Sequence, residues 1–172
     1  MPEPAEFGRV YEEHIWSVYG FIGYRVNSRE EAEDLTQVTF ERALKAWRRY
    51  DASRASEQTW LLAIARNVVI DAYRRNRGNT DPIDELHEAG HRELVTEGPE
   101  QTSLGLSPEL DAALRSVGDR DREIVALRFG GEMTGAEIAD LTGLTLANVQ
   151  QILSRTLRRL RERLEEVDDL EA

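Results

Sequence analysis

Residues 134–164 carry two helix-start signals on either side of a glycine, the pattern of two helices joined by a tight turn. Thr134-Gly135-Ala136-Glu137 has the S/T-x-x-E spacing of a capping box, which predicts a short helix from about Ala136. Ile138, Ala139 and Leu141 fall on one side of it, and Gly143 supplies a residue that turns left-handed after the last turn. Thr145 then caps a second helix with an expected apolar stripe of Leu146, Val149, Leu153, Leu157, Leu160 and Leu164. The opposite side presents Ala147, Gln151, Ser154 and Arg158, flanked by Asn148, Gln150 and Arg155. Small and amide-bearing side chains at the start of such a helix suit a DNA major groove. The pattern predicts a helix-turn-helix; the alternative is two packed amphipathic helices with a solvated outer face.

The rest of the chain reads as helix as well. A first helix is expected over residues 6–24, with Phe7, Val10, Tyr11, His14, Ile15, Val18 and Phe21 or Ile22 at three- and four-residue spacing. Ser28-Arg29-Glu30-Glu31 starts a second, running to about Arg49, with Leu35, Phe40 and Leu44 turned inward. A third begins near Ser56 and runs to about Asn76, with Trp60, Leu61, Ile64, Val68 and Ala72 inward. Ser107-Pro108 begins a fourth, ending near Val117, and a fifth is expected from Asp119 to Phe129. Between the blocks, residues 78–106 combine Gly, Pro and acidic residues without an apolar period, the composition of a flexible connector. The expected organisation is all-α: a helical unit over 1–77, an acidic linker over 78–106 and a second helical unit over 107–172.

Charge sets a puzzle. The 172 residues carry a formal net charge of −11. Residues 1–77 are balanced, with 12 basic and 12 acidic side chains; residues 78–108 hold 1 against 7, and residues 109–172 hold 9 against 14. Duplex DNA is bound largely through neutralised phosphates, so a chain this acidic should bind free DNA poorly unless a partner supplies the missing electrostatics. The chain has no cysteine, which excludes disulfides and cysteine-ligated zinc and is compatible with a reducing cytoplasm. No apolar run approaches the roughly 20 residues of a membrane span, and the polar, acidic start does not read as a signal peptide. A soluble cytoplasmic protein without membrane insertion is expected.

Three stretches, in order, resemble one family. Ala32-Glu33-Asp34-Leu35-Thr36-Gln37-Val38-Thr39-Phe40 resembles the polymerase-binding helix of bacterial RNA polymerase sigma factors of the extracytoplasmic-function group. Thr59-Trp60-Leu61-Leu62-Ala63-Ile64-Ala65-Arg66-Asn67-Val68-Val69-Ile70-Asp71-Ala72-Tyr73-Arg74-Arg75 resembles that group's −10 recognition helix. Asp121-Arg122-Glu123-Ile124-Val125-Ala126-Leu127-Arg128-Phe129, followed by the helix-turn-helix, resembles its −35 domain. The resemblance implies a three- to four-helix sigma domain 2 over 1–77 and a four-helix sigma domain 4 over 107–172. It also implies a promoter-specificity factor that reads DNA as part of a holoenzyme with core RNA polymerase, which would resolve the charge puzzle. An anti-sigma factor is a possible further partner. A transcription factor of this kind is not an enzyme and needs no cofactor or metal.

The resemblance assigns roles residue by residue. Asp34 and Gln37, three apart on one helical side, with Val38 and Glu41, are expected to dock on core polymerase; the first two positions meet the clamp helices of the largest subunit in the family. Val38 stands where the family usually has an acidic residue. Asn67 and Asp71, one turn apart, with Arg74, Arg75 and Ser56, are expected at the −10 DNA. Residues 51–58 precede that helix and form, in the family, a pocket for a flipped base; Glu57 stands where an aromatic residue is common. Trp47, Tyr50 and Trp60 could stack on bases, although core packing is the expectation for Trp60. Asn148, Gln150, Gln151, Ser154 and Arg155 are expected at the −35 DNA, with Gln150, Gln151 and Ile152 replacing a stretch that is usually basic or small. Two rivals are weaker. A stand-alone helix-turn-helix regulator would account for the C-terminal block but not for Asp34/Gln37 or Asn67/Asp71. His87-Glu88-Ala89-Gly90-His91 matches the zinc-hydrolase pattern H-E-x-x-H, but it contains a glycine, lies in the acidic connector and lacks apolar flanking turns.

Overall fold

A computed structural model describes residues 3–77 and 107–171. The connector and its H-E-x-x-H match lie outside these residues. Helix α1 spans Pro4–Arg25, α2 Arg29–Ala46, α3 Glu57–Asn76, α4 Pro108–Arg115, α5 Asp119–Val125, α6 Gly135–Thr142 and α7 Leu146–Glu171. No strand occurs among the described residues, and the all-α expectation holds.

Local chemistry starts each helix where the sequence signals stand. The Ser28, Ser56 and Ser107 hydroxyls accept the backbone N–H three residues on, at 3.1, 3.2 and 3.2 Å. Thr134 closes the full box: its Oγ1 accepts from Glu137 N at 3.2 Å, while its own N–H donates to Glu137 Oε2 at 2.8 Å. α1 begins two residues earlier than expected, because a proline at the first helical position is already set to helical φ. The expected continuous helix from Asp119 to Phe129 breaks after Val125 into one π turn, Ala126–Gly130, where Gly131 N–H reaches Ala126 O at 2.8 Å.

α1, α2 and α3 pack around Val10, Val18, Phe21, Ile22, Phe40, Leu61, Leu62 and Val68, all buried. This core does not stop at the first block. It continues through Ile124, Leu127, Met133, Ile138, Val149 and Ile152, because α1 lies along the π turn. A smaller cluster of Ala113, Leu114, Val117, Val125 and Leu160 joins α4, α5 and α7.

Three expectations about inward faces are corrected. Tyr11 on α1 and Leu44 on α2 are exposed, while Phe21 and Ile22 are both buried. Leu146 and Leu157 are 44% and 42% exposed, so the buried stripe of α7 is Val149, Ile152, Thr156 and Leu160, rotated from the leucine pattern. On α3 the expected inward set holds: Leu61, Val68 and Ala72 are buried, Trp60 and Ile64 are half-buried against the core, and Leu62, Ala65 and Val69 join them. Two cations lie in the seam between the blocks: Arg25 and Arg122 are 5% and 8% exposed. Arg25 Nη1 donates to Asp119 O at 2.8 Å, and Arg122 Nε donates to Tyr24 O at 2.6 Å. Burial pushes the Arg122 pKa down, and the nearby Arg25 charge adds to this.

Candidate nucleic-acid interface

The turn between α6 and α7 is built from glycine and threonine. Gly143 takes φ +75°, the left-handed conformation that ends α6 without a Cβ penalty. Thr145 Oγ1 then accepts from Asn148 N at 3.1 Å and starts α7. With the helix fixed this way, Asn148, Gln150, Gln151, Ser154 and Arg155 are all exposed on its outer side. Ile152 is buried and belongs to the core, not to the exposed outer side. Arg155 Nη2 lies 3.2 Å from Asp121 Oδ2, so a carboxylate from α5 holds it in the free chain.

On α3, Asn67, Arg74 and Arg75 are exposed on the polar side. Asp71 accepts from Arg42 Nη1 at 2.8 Å, tying α3 to α2. Arg42 was not singled out by sequence reasoning; only the packing of the two helices brings it to Asp71. The Ser56 hydroxyl is engaged by the α3 cap, accepting from Thr59 N and donating to Thr59 Oγ1 at 3.0 Å. Arg66, also absent from the sequence-derived set, pairs through Nε with Glu123 Oε1 of α5 at 2.5 Å.

The loop over residues 51–58 rests on an aromatic stack. Trp47 and Tyr50 are parallel to within 6° at 5.2 Å, and Trp60 tilts against both, at 5.8 and 5.0 Å. Trp47 is buried with Nε1 on Glu3 O at 3.2 Å, and Tyr50 donates to Ala55 O at 2.9 Å. In this fold the three rings brace the loop instead of standing free for bases. Asp51 accepts from both Oγ and N of Ser53, at 2.7 and 2.9 Å, which pulls its carboxyl pKa down.

Glu57, Glu13 and His14 bring carboxylate and imidazole atoms within 4.8 Å of one another. Arg9 already supplies the cation there, with Nη2 2.7 Å from Glu57 and Nη1 2.8 Å from Glu13. The Arg9 hydrogen bond holds the Glu57 pKa below the usual carboxylate range, and His14 at 3.4 Å adds to it.

The candidate docking side of α2 presents Asp34, Gln37 and Glu41 to solvent, with Gln37 Nε2 on Glu41 Oε1 at 3.1 Å. Val38 is half-buried against the core. Thr36 and Thr39, on the buried side, donate to the carbonyls of Ala32 and Leu35 at 2.7 and 2.8 Å, so no hydroxyl is left unpaired there.

Two family models match the chain, each over one of these surfaces: Sigma-70 region 2 over residues 10–79 and Sigma-70 region 4 over residues 113–162. The chain belongs to the extracytoplasmic-function sigma factors. It is 33% identical over 159 residues to the ECF RNA polymerase sigma factor BldN of Streptomyces coelicolor, covering 92% of this chain and 60% of that protein's length. It is 26% identical over 166 residues to the ECF RNA polymerase sigma factor RpoE of Cereibacter sphaeroides, covering 94% and 88%. In fold, this sigma factor matches the sigma factor RpoE in its complex with the anti-sigma factor NepR from Bartonella quintana, at a TM-score of 0.71 and 20% identity over 93% of this chain and 97% of that one. No helix among the described residues of the sigma factor is long and apolar enough to cross a membrane.

Proposed function

We propose that this sigma factor binds core RNA polymerase and directs transcription initiation by reading −10 and −35 promoter elements. The observation that carries the reading is the presence of both sigma regions, in order, in one chain. In this reading residues 1–77 and 107–172 are the two working units and 78–106 joins them. Asp34, Gln37 and Glu41 form the polymerase dock, with Val38 supporting the helix from its core side. Asn67 and Asp71 read −10 bases, with Arg74 and Arg75 on phosphates. Asn148, Gln150, Gln151 and Ser154 meet the −35 major groove, with Arg155 at a guanine or a phosphate. An acidic chain of net charge −11 is suited to working inside a holoenzyme, where polymerase contributes the basic surface. Since the fold relative from Bartonella quintana is bound by an anti-sigma factor, a protein of that class is the expected inhibitor. A stand-alone repressor or activator is less favoured, because region 2 would then have no task.

The direct test is a promoter-binding assay with and without core polymerase. Specific binding should require the polymerase. Equally tight, sequence-specific binding by the chain alone would instead identify a stand-alone regulator.

A further inference from the structure

Arg66 is a cation of α3 whose partner comes from the other sigma region. Its Nε lies 2.5 Å from Glu123 Oε1 and its Nη2 3.4 Å from Oε2. Two-point capture of an oxyanion by a guanidinium is also how arginine takes a phosphate. Arg66 immediately precedes Asn67, which places it about 100° round the helix from the base-reading side. A long cation on that flank meets sugar-phosphate rather than base edges.

The acid comes from a helix suited to serve two partners. Residues two apart on a helix point to opposite sides. On α5, Asp121 therefore turns to Arg155 of α7, while Glu123 turns to Arg66 of α3. The Arg66 pair crosses the seam, alongside Gln58 Nε2 on Gly131 O at 2.6 Å and the Arg25 and Arg122 bonds to carbonyls. The seam cannot persist on a promoter. The −10 and −35 elements lie about 25 base pairs apart, roughly 85 Å of duplex. A folded chain of this length is only about 40 Å across. Engaging both elements requires the regions to part, and parting frees Arg66.

Resting on the promoter-factor reading above, we infer that Arg66 is a phosphate contact of the −10 DNA and that Glu123 occupies it in the closed chain, standing in for the phosphate until the regions separate.

The 172-residue chain has no cysteine, so Glu12→Cys and Asp140→Cys provide two dye sites, one in each region. Fluorescence transfer in the free chain should show Glu123→Gln raising the open-to-closed ratio about three- to fivefold, as loss of one part-exposed ion pair implies. Arg66→Gln should open the free chain similarly. On promoter DNA, with the variants assembled into holoenzyme, the two should diverge. Glu123→Gln should bind like wild type, whereas Arg66→Gln should bind several-fold more weakly, with a salt slope smaller by about 1. The charge swap Arg66→Glu with Glu123→Arg should restore closure and still bind promoter worse than Arg66→Gln. An unchanged open fraction in Glu123→Gln, with its helix content and melting intact, would overturn the latch. Wild-type promoter binding by Arg66→Gln holoenzyme would overturn the contact. Failure of the wild-type holoenzyme to bind promoter would refute the promoter reading itself, and with it the role of Arg66.

Discussion

A Cβ atom on Gly20 would lie 2.5 Å from the carbonyl oxygen of Gly130, so the backbones of α1 and the π turn touch with nothing between them. Both residues are buried, and the obstructing atoms are main chain, which cannot swing aside. Gly20→Ala should therefore push the two regions apart or strain them, at a cost of about 1–3 kcal/mol. Thermal unfolding of Gly20→Ala against Gly8→Ala, where a Cβ meets nothing within 4 Å, checks this. Equal melting temperatures would show that the regions are not held in contact in solution.

The corrected face of α7 makes a sharp contrast between two neighbouring apolar residues. Ile152 is buried at 4% exposure, whereas Leu157 is 42% exposed. Ile152→Ala should cost about 2–5 kcal/mol and Leu157→Ala well under half of that. Chemical denaturation of the two variants distinguishes this face from the leucine stripe, which would make Leu157 the costlier loss.

Asp34 and Gln37 are both exposed and make no hydrogen bond that holds the fold together; Gln37 reaches only Glu41 on its own helix. The double variant Asp34→Ala, Gln37→Ala should weaken association with core polymerase and keep its stability within about 0.5 kcal/mol of wild type, as surface substitutions do. Binding titrations with core enzyme, paired with a melt, test it. A variant that melts early yet binds core normally contradicts the docking role.

Acid should loosen the corner where α1 meets the start of α3. The Glu57 pKa is lowered in the folded state by Arg9 and then His14, so its stabilising effect is complete above the unfolded glutamate value of about 4.3. It is lost as pH falls through the lower folded value. Glu57→Gln should be less stable than wild type near neutrality, with the difference shrinking below about pH 4. Parallel denaturation curves from pH 7 to pH 3 would show the convergence; a constant difference would mean that the Arg9 pair contributes nothing that titrates.

The proposed role of α7 makes a prediction about sequence preference. Gln150 and Gln151 are exposed, and an amide can bond both N6 and N7 of adenine, discriminating by about 1–3 kcal/mol. Gln151→Ala should relax preference at one −35 position, whereas Arg158→Ala should at most weaken binding uniformly. Selection of −35 sequences on wild-type and variant holoenzymes measures this, and identical preferences would rule out amide readout.

What the sequence determined by itself is local. Ser28, Ser56, Ser107 and Thr134 cap their helices, and Gly143 turns left-handed, because each acts on backbone groups within four residues of itself. The exposed amides of α7 and the exposed Asp34 and Gln37 were legible for the same reason: helical spacing alone sets which side they share. The buried face of α7 was not. That helix carries two overlapping stripes, Leu146/Val149/Leu153/Leu157 and Val149/Ile152/Thr156/Leu160, and only docking against α4, α5 and α6 selects between them. Val38 illustrates the same limit, since its half-burial depends on the core that α2 covers. The seam lay beyond any local reading. Arginine normally stays in water, yet Arg25 and Arg122 are buried because carbonyls at Asp119 and Tyr24, 94 and 98 residues away, take their protons' hydrogen bonds. Arg66 and Glu123, 57 residues apart, are joined by the same tertiary closure, which periodicity along a single helix cannot encode.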